Sequence, residues 1–338
     1  MRTYLQACRV PTTRVGCVEV PRLIMGIHPF DGCGYVSPER DRRMLEHFAD
    51  VQRIAEVLAW VAGEGITMVQ TDHMVPHLNR QHLTAVWKAS VQAQIQIGTI
   101  PFLVVPLTLD GRPLETRRVY ATFDYNAYAR FGARYRAYLQ RDPIVSYLTA
   151  GHGVEGDVLV SCDTVPPYSP EEVARMELDR EALARHVGFF DGFEPLVADP
   201  GAEIDLLAPA GRFELIEEYI AYLRGRFAAV VTSVHHPGIT LPILEQAGVS
   251  FDGYITPLNK SGVFMLPTPE SALDAIRRSR KPVIAIKPMA GGRLVRQEAF
   301  DYVLNEVGVA ACMFGLAPMD EVRFTVGQAK GAVERVAA

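Results

Sequence analysis

Two kinds of chemistry are open to the polar residues that close the apolar runs of this chain. GITMVQTDHMVPH, residues 65–77, runs an apolar segment into Asp72, His73 and His77. TSVHHP places His235 and His236 after a second run, and IAIKPMAGGRL sets Lys287 before a glycine-rich turn. GIHPFDG adds His28 and Asp31, and TPLNK adds Asn259 and Lys260. In the first chemistry, Asp72 or His235 moves a proton beside a substrate carbonyl, with His28 assisting. Lys287 then stabilises the oxyanion or attacks as an amine. In the second, His28, Asp72 and His235, with His73 or His236, hold one divalent metal ion with a position left for water. Such scattered ligands have no diagnostic spacing. Each residue also has a structural reading: a turn at HHP, a helix cap at Asp72, or an ion pair of Lys287 with Asp252 or Asp205.

These side chains fall where short runs rich in valine and isoleucine give way to amphipathic segments. RLIMGIHPF (22–30), ITMVQTDH (66–73), AAVVTSVHHP (228–237), FDGYITPLN (251–259), PVIAIKPM (282–289) and VAACMFGL (309–316) read as strands that are apolar on both faces. VQRIAEVLAWVAGEG (51–65), FELIEEYIAYLRGRF (213–227), ITLPILEQAG (239–248), PESALDAIRRSRK (269–281), RQEAFDYVLNEVG (296–308) and the C-terminal segment read as helices. IQIGTIPFLVV (95–105) and IDLLAPA (204–210) are the candidates for a third and fourth strand, which completes eight strands and predicts a TIM (β/α)8 barrel, an α/β fold. In a barrel, chemistry sits at the C-terminal ends of the strands, and period-two alternation puts Gln70 with Asp72 and Ser233 with His235 on common faces.

Between about 106 and 203 the alternation breaks, in a stretch that holds much of the tyrosine and ends in the helical EEVARMELDREALARHVGFF. Loops of this length in a barrel are normally functional, so the segment is expected to be an insertion or lid between strands 3 and 4 of a single barrel domain over 1–338. Cys162 and Asp163 end its one strand-like run, where Cys162 is a candidate nucleophile without a named histidine partner.

Across 338 residues, 49% are hydrophobic and 22% charged, enough for a large core. The net charge of −5 is spread along the chain, which gives no footprint for nucleic acid or anionic membrane. Five scattered cysteines fit reduced thiols. Neither a leader-like apolar run nor a membrane-length segment is visible, which sets the expectation of a cytoplasmic protein with a small-molecule substrate.

TTRVGCVEVPRLIMGIHPF resembles the entry of an aldo/keto reductase barrel, where a short hairpin precedes the first strand, and GITMVQTD resembles the second strand of that superfamily with its terminal aspartate. TSVHHPGITLPILEQAG, FDGYITPLN, KPVIAIKPMAGGRL and AFDYVLNEVGVAACMFGLAPMDEV are similar in order and spacing to its last four strands. The likeness covers about 20–75 and 204–330. It implies NADPH as hydride source and an Asp, Tyr, Lys and His tetrad in which the tyrosine protonates the carbonyl. Asp72 alone falls on a matching position. HMVPH stands where the tyrosine would follow, IQIGTIPF has no lysine, and Ala208 or Pro209 stands in place of histidine. By the same resemblance, AGGRL (290–294) and FGLAPMDEV (314–322) match the stretches that grip NADPH phosphates, through Gly291, Gly292, Arg293, Gly315 and a helix N-terminus.

The sequence therefore predicts a divergent barrel enzyme of lyase, isomerase or dehydratase type. It acts on a small carbonyl-bearing or phosphorylated molecule through Asp72, His235, Lys287 and His28, with Asn259, His73 and His236 toward the substrate. Three alternatives stay open: an NADP-dependent oxidoreductase whose proton donor is replaced by a tyrosine of the insertion, a metal-dependent enzyme, and a non-catalytic metabolite-binding barrel.

Overall fold

The first ordered strands form a hairpin, β1 (Thr12–Val15) and β2 (Val18–Pro21), joined through Gly16 at φ +58° and paired antiparallel from Thr12 with Pro21 to Val15 with Val18. In this computed structural model the described residues are 1–72, 76–152, 159–193 and 196–337. The barrel then begins with β3 (Leu23–Gly26), β4 (Met68–Thr71) and β5 (Gly98–Leu103). Three short strands of the insertion follow, β6 (Leu107–Leu109), β7 (Arg112–Pro113) and β8 (Met176–Leu178). The barrel resumes with β9 (Val197–Pro200), β10 (Ala229–Ser233), β11 (Gly253–Pro257), β12 (Val283–Ile286) and β13 (Ala311–Gly315). Its strands close in the order β10-β11-β12-β13-β3-β4-β5-β9, all parallel. This is the expected α/β TIM barrel, with its hairpin and with the long insertion between the third and fourth barrel strands.

Two apolar layers hold it. Ile24, Met68, Ile100, Val231, Ile255, Ile284 and Met313 fill the lumen, and Val15, Val18 and Val20 of the hairpin join the same cluster, which plugs the end opposite the site. The outward-facing members of each strand, such as Leu23, Val69, Tyr254 and Phe314, pack against the ring of helices. Parallel strands buried on both faces read as unbroken apolar runs for this reason.

The fourth barrel strand lies earlier than the sequence suggested. It is β9 at 197–200, while Ile204–Leu207 of the run proposed for it is a short helix. The longer apolar run belongs to helix-forming leucines, whereas the true strand is masked by Asp199 and Pro200, both disfavoured in strand interiors. Val197 belongs to the lumen cluster and Ala198 to the outer one, so alternation turns Asp199 into the lumen.

The inserted segment contributes a three-stranded antiparallel sheet, β7-β6-β8, and helices over Thr116–Phe131, Ala133–Leu139, Pro143–Thr149 and Arg180–Gly188. Its helices dock on the loops at the C-terminal mouth. Ile144, Val145, Tyr147 and Leu148 share a buried cluster with Cys33, Tyr35, Val263, Phe264 and Ala290.

Candidate active site

A cavity of about 390 Å³ opens at the C-terminal ends of the strands. His28 and Tyr35 reach it from the chain after β3, Gln70 and Asp72 from β4 and its end, Ser233 and His235 from β10 and its end, and Lys287 from the end of β12. From there it runs past Gly291, Gly292 and Gly315 to Arg40, Arg296, Glu321 and Thr325, beside the N-terminus of the last helix, Met319–Ala337.

Lys287 is the residue around which the local geometry is most constrained. Its Nζ donates to the Tyr35 hydroxyl at 3.1 Å and stands 4.4 Å from the centre of that ring and 5.4 Å from the centre of the Phe264 ring. The ammonium thus lies within cation–π reach of two aromatic faces, whose quadrupoles attract it. Tyr35, Phe264 and Lys287 each have a left-handed backbone, with φ of +59°, +55° and +54°. Such conformations cost free energy in residues other than glycine and persist where surrounding contacts impose them. Here the contacts are identifiable. The Asp41 carboxylate accepts from Gly34 N–H at 3.1 Å and from Tyr35 N–H, and Arg293 donates to the Tyr35 carbonyl at 2.8 Å.

Arg293, expected as an anion contact, is spent on this loop. Its other donors go to the carbonyls of Ala290 and Gly291 at 3.1 and 3.3 Å, and it does not line the cavity. The cavity's outer cations are Arg40 and Arg296, which the sequence did not single out because both look like ordinary helix arginines. Arg40 meets Glu321 at 2.8 Å, and Arg296 donates to Thr325 at 2.7 Å and meets the same Glu321 at 3.4 Å. Two cations share one carboxylate at the N-terminus of that helix, whose first turn also carries Asp320.

The glycines differ in what they permit. Gly291 and Gly292 hold φ of +64° and +77° and shape the turn after β12. A Cβ on Gly315 would meet the Pro29 ring at 2.6 Å, so its smallness serves packing between strand ends. Together, two left-handed glycines, two arginines and a helix N-terminus along one elongated cavity form a donor set that fits the phosphates of a nicotinamide dinucleotide.

Across from Lys287 the cavity is acidic. Asp199, buried in the lumen, accepts from Ser233 at 2.9 Å and Gln70 at 3.2 Å on one oxygen, and its other oxygen has no hydrogen-bond partner among the described residues. Burial pushes its carboxyl up to about 7 against these two hydrogen bonds. Glu203, which lines the cavity and accepts from Val105 N–H at 3.1 Å, is pushed up to about 7 by the same cause. Asp205 accepts from His235 N–H at 2.6 Å and from the Thr240 hydroxyl, and it is raised to about 6 by burial. Asp205 therefore holds the turn that presents His235; it is not the partner of Lys287. Asp252 is likewise engaged elsewhere, with Arg224 at 3.0 Å.

Other sequence candidates are placed outside the cavity. His236 is buried against the rings of Phe123 and Tyr135, at 5.9 and 6.4 Å between centres, and desolvation presses it down to about 3. Asn259 closes its own loop, donating to Val263 O at 2.8 Å and accepting from Val263 N–H at 2.9 Å. Lys260 pairs with Glu298 on the surface at 2.7 Å. Cys162 is raised by burial, with Asp124 adding to the effect, the opposite of an activated nucleophile. His73 lies outside the described residues, as does the His77 side chain. Among the described residues no three His, Cys, Asp or Glu side chains converge to hold a metal ion, so His28, Asp72 and His235 do not form the ligand set proposed for them. No described helix is long and apolar enough to cross a membrane.

No protein-family model matches the chain, and no curated protein matches it. Two solved structures from Pseudomonas aeruginosa, each assigned by name as an aldo-keto reductase, superpose over nearly the whole chain. One is 13% identical, covering 96% of this chain and 94% of its own, with a TM-score of 0.53. The other is 14% identical, covering 95% of each chain, with a TM-score of 0.52. The fold is that of the aldo-keto reductases. At such identity the likeness is one of fold, and the chain is a divergent version of it. In this chain Asp72 follows β4, β5 carries no lysine, and the fourth barrel strand ends in Asp199 and Pro200 without a histidine. The oxidoreductase alternative expects its tyrosine in the insertion. The tyrosine beside the cavity's lysine is Tyr35, from the loop after the first barrel strand.

Proposed function

We propose that this protein is an oxidoreductase that reduces the carbonyl of a small molecule with a nicotinamide dinucleotide. Tyr35 is the proton donor and Lys287 the cation that supports it. The observation that carries this reading is the 3.1 Å contact between Lys287 Nζ and the Tyr35 hydroxyl in the wall of the cavity. Tyr35 gives its proton to the substrate oxygen as negative charge grows there, and the Lys287 ammonium stabilises the phenolate left behind. Phe264 and the Tyr35 ring exclude water from the ammonium, which strengthens that interaction. Asp72, His28 and His235 orient the rest of the substrate from the other strand ends. The dinucleotide supplies hydride when bound, with Gly291, Gly292, Arg40, Arg296 and the start of the last helix to hold its phosphates.

The test is calorimetric titration of the purified protein with NADPH and with NADH. Binding of either in the micromolar range is expected. Absence of binding to both would overturn the reading.

A second reading follows from Glu203. A carboxyl on the cavity wall raised to about 7 is suited to carry protons in both directions at neutral pH, as a lyase, isomerase or dehydratase requires. Under this reading, Lys287 stabilises an enolate, and the protein exchanges substrate protons with solvent without any nucleotide.

A further inference from the structure

We propose that the helix Pro143–Thr149 of the inserted segment is a brace rather than a lid: through Asp142 and Tyr147 it holds Phe264 and Tyr35 in their left-handed conformations beside Lys287. The inference rests on the reading of Tyr35 and Lys287 as the reacting pair, and it makes Asp142, Tyr147 and Asp41 positioning residues.

Asp142 is the N-cap of this helix, and its Oδ1 accepts from Ile144 and Val145 N–H, both at 2.9 Å, as a cap should. Its Oδ2 does something a cap does not require. It accepts from the backbone N–H of Phe264 at 2.6 Å and from the Tyr138 hydroxyl at 2.8 Å. The same Tyr138 oxygen accepts from Met265 N–H at 2.8 Å. The loop after β11 is therefore gripped at two successive amides by one carboxylate and the phenol attached to it. At the other end of the helix, Tyr147 donates to Asp41 Oδ2 at 2.5 Å, and Asp41 in turn accepts the N–H groups of Gly34 and Tyr35. The rings of Tyr147 and Tyr35 meet edge to face at 6.3 Å. Both Asp41 and Asp142 are buried, where such hydrogen bonds are costly to lose.

Neither Tyr35 nor Phe264 is a residue that enters the left-handed region unaided. Two loops whose aromatic rings both lie against the ammonium are thus tied to one seven-residue helix that belongs to neither. A lid would be expected to contact the mouth loosely. This helix instead shares a buried apolar cluster with Cys33, Tyr35, Val263, Phe264 and Ala290.

The test compares Tyr147→Phe, Asp142→Asn and Asp41→Asn with Arg175→Ala, which removes an exposed pair with Asp110 and a bond to the Glu171 carbonyl, both elsewhere in the insertion. Asparagine keeps the cap in Asp142→Asn, and phenylalanine keeps the packing in Tyr147→Phe, so at least one variant should fold even if another does not. Two quantities are read. The first is the rate at which acetic anhydride labels Lys287, followed by peptide mass spectrometry, which needs no turnover. The second is kcat and KM for methylglyoxal with NADPH. The brace predicts that labelling of Lys287 rises severalfold in the three variants and not in Arg175→Ala. It also predicts that kcat falls by up to about 10²-fold with KM nearly unchanged, the size expected when reacting groups are displaced by an ångström. Unchanged labelling in every folded variant would overturn the brace. Raised labelling in a protein that binds no nicotinamide nucleotide would keep the brace and discard the reductase reading.

Discussion

The wall of the cavity that carries Tyr35 and Lys287 and the wall of Gln70, Glu203 and Ser233, behind which Asp199 is buried, are shaped by different physics. On the first, the side chains are ordinary and the backbone is unusual. Of its three left-handed residues, Tyr35 and Phe264 are held by hydrogen bonds to Asp41 and Asp142 and from Arg293, so much of the cost of the geometry is met by clamps that lie outside the cavity. On the second, the backbone is ordinary, a strand at Asp199 and a right-handed turn at Glu203, and the burial is unusual. Asp199 sits above an apolar lumen layer with only Gln70 and Ser233 as side-chain partners among the described residues, and its carboxyl moves to about 7 because burial outweighs those bonds. Shape is what the first wall stores, and protonation state is what the second stores. Mutations should therefore separate the two, the first reporting through turnover and the second through the dependence of stability on pH.

The largest effect is expected on the first wall. Tyr35→Phe and Lys287→Ala should each lower kcat/KM by about 10²- to 10⁴-fold, the range of general acid catalysis. The accompanying loss of stability should stay near the roughly 1 kcal/mol of a single hydrogen bond. Steady-state kinetics and thermal melts of the same preparations check this. If either variant melts far earlier while its folded fraction turns over normally, the pair is structural and the comparison of the walls fails.

The second wall should respond to pH instead. Because the Asp199 carboxyl is raised from 3.8 to about 7, the folded chain keeps a proton where the unfolded chain has lost it. Stability from this group is therefore highest below about pH 4 and falls as pH rises toward 7, since the folded state binds more protons over that window. The shift of roughly 3 units corresponds to at most on the order of 4 kcal/mol. Asp199→Asn removes the charge and keeps the shape, so it should raise the melting temperature at pH 8 and change little at pH 4. A variant that is equally destabilised at both values would mean that the hydrogen bonds to Gln70 and Ser233 matter more than the buried charge.

The same division explains how much could be read from the sequence. The last four strands and the second were legible because continuous apolar runs such as VIAI and ACMF are what a doubly buried parallel strand requires. β9 was not, because the buried Asp199 breaks that run, and its lumen position is visible only once Val197 and Ala198 are assigned to their faces. Lys287 was legible from its place between an apolar run and a glycine turn. Tyr35 was not, since GCGYV has no periodicity and a left-handed tyrosine leaves no mark in composition; the glycine before it was the only signal of a tight turn. Arg293 was misjudged for a related reason. A positive residue after two glycines suggests an anion, whereas its guanidinium is consumed by the carbonyls that the same left-handed turn leaves exposed.

The smallest expected effect isolates the backbone of the first wall from its chemistry. Lys287→Ala and Lys287→Gly both remove the amine, its contact with Tyr35 and its cation–π interactions, so neither should turn over. They differ only in how residue 287 tolerates φ +54°. For alanine that conformation costs about 1–2 kcal/mol, while glycine enters it freely. Against this, glycine makes the unfolded chain more flexible, at a cost of roughly 0.4–1 kcal/mol. The net expectation is that Lys287→Gly is more stable than Lys287→Ala by about 0.5–1 kcal/mol, measured by chemical denaturation. Equal stabilities, or an advantage for alanine, would mean that the turn after β12 relaxes once the ammonium is gone. The clamps at Asp41, Asp142 and Arg293 would then be following the position of Lys287 rather than imposing it.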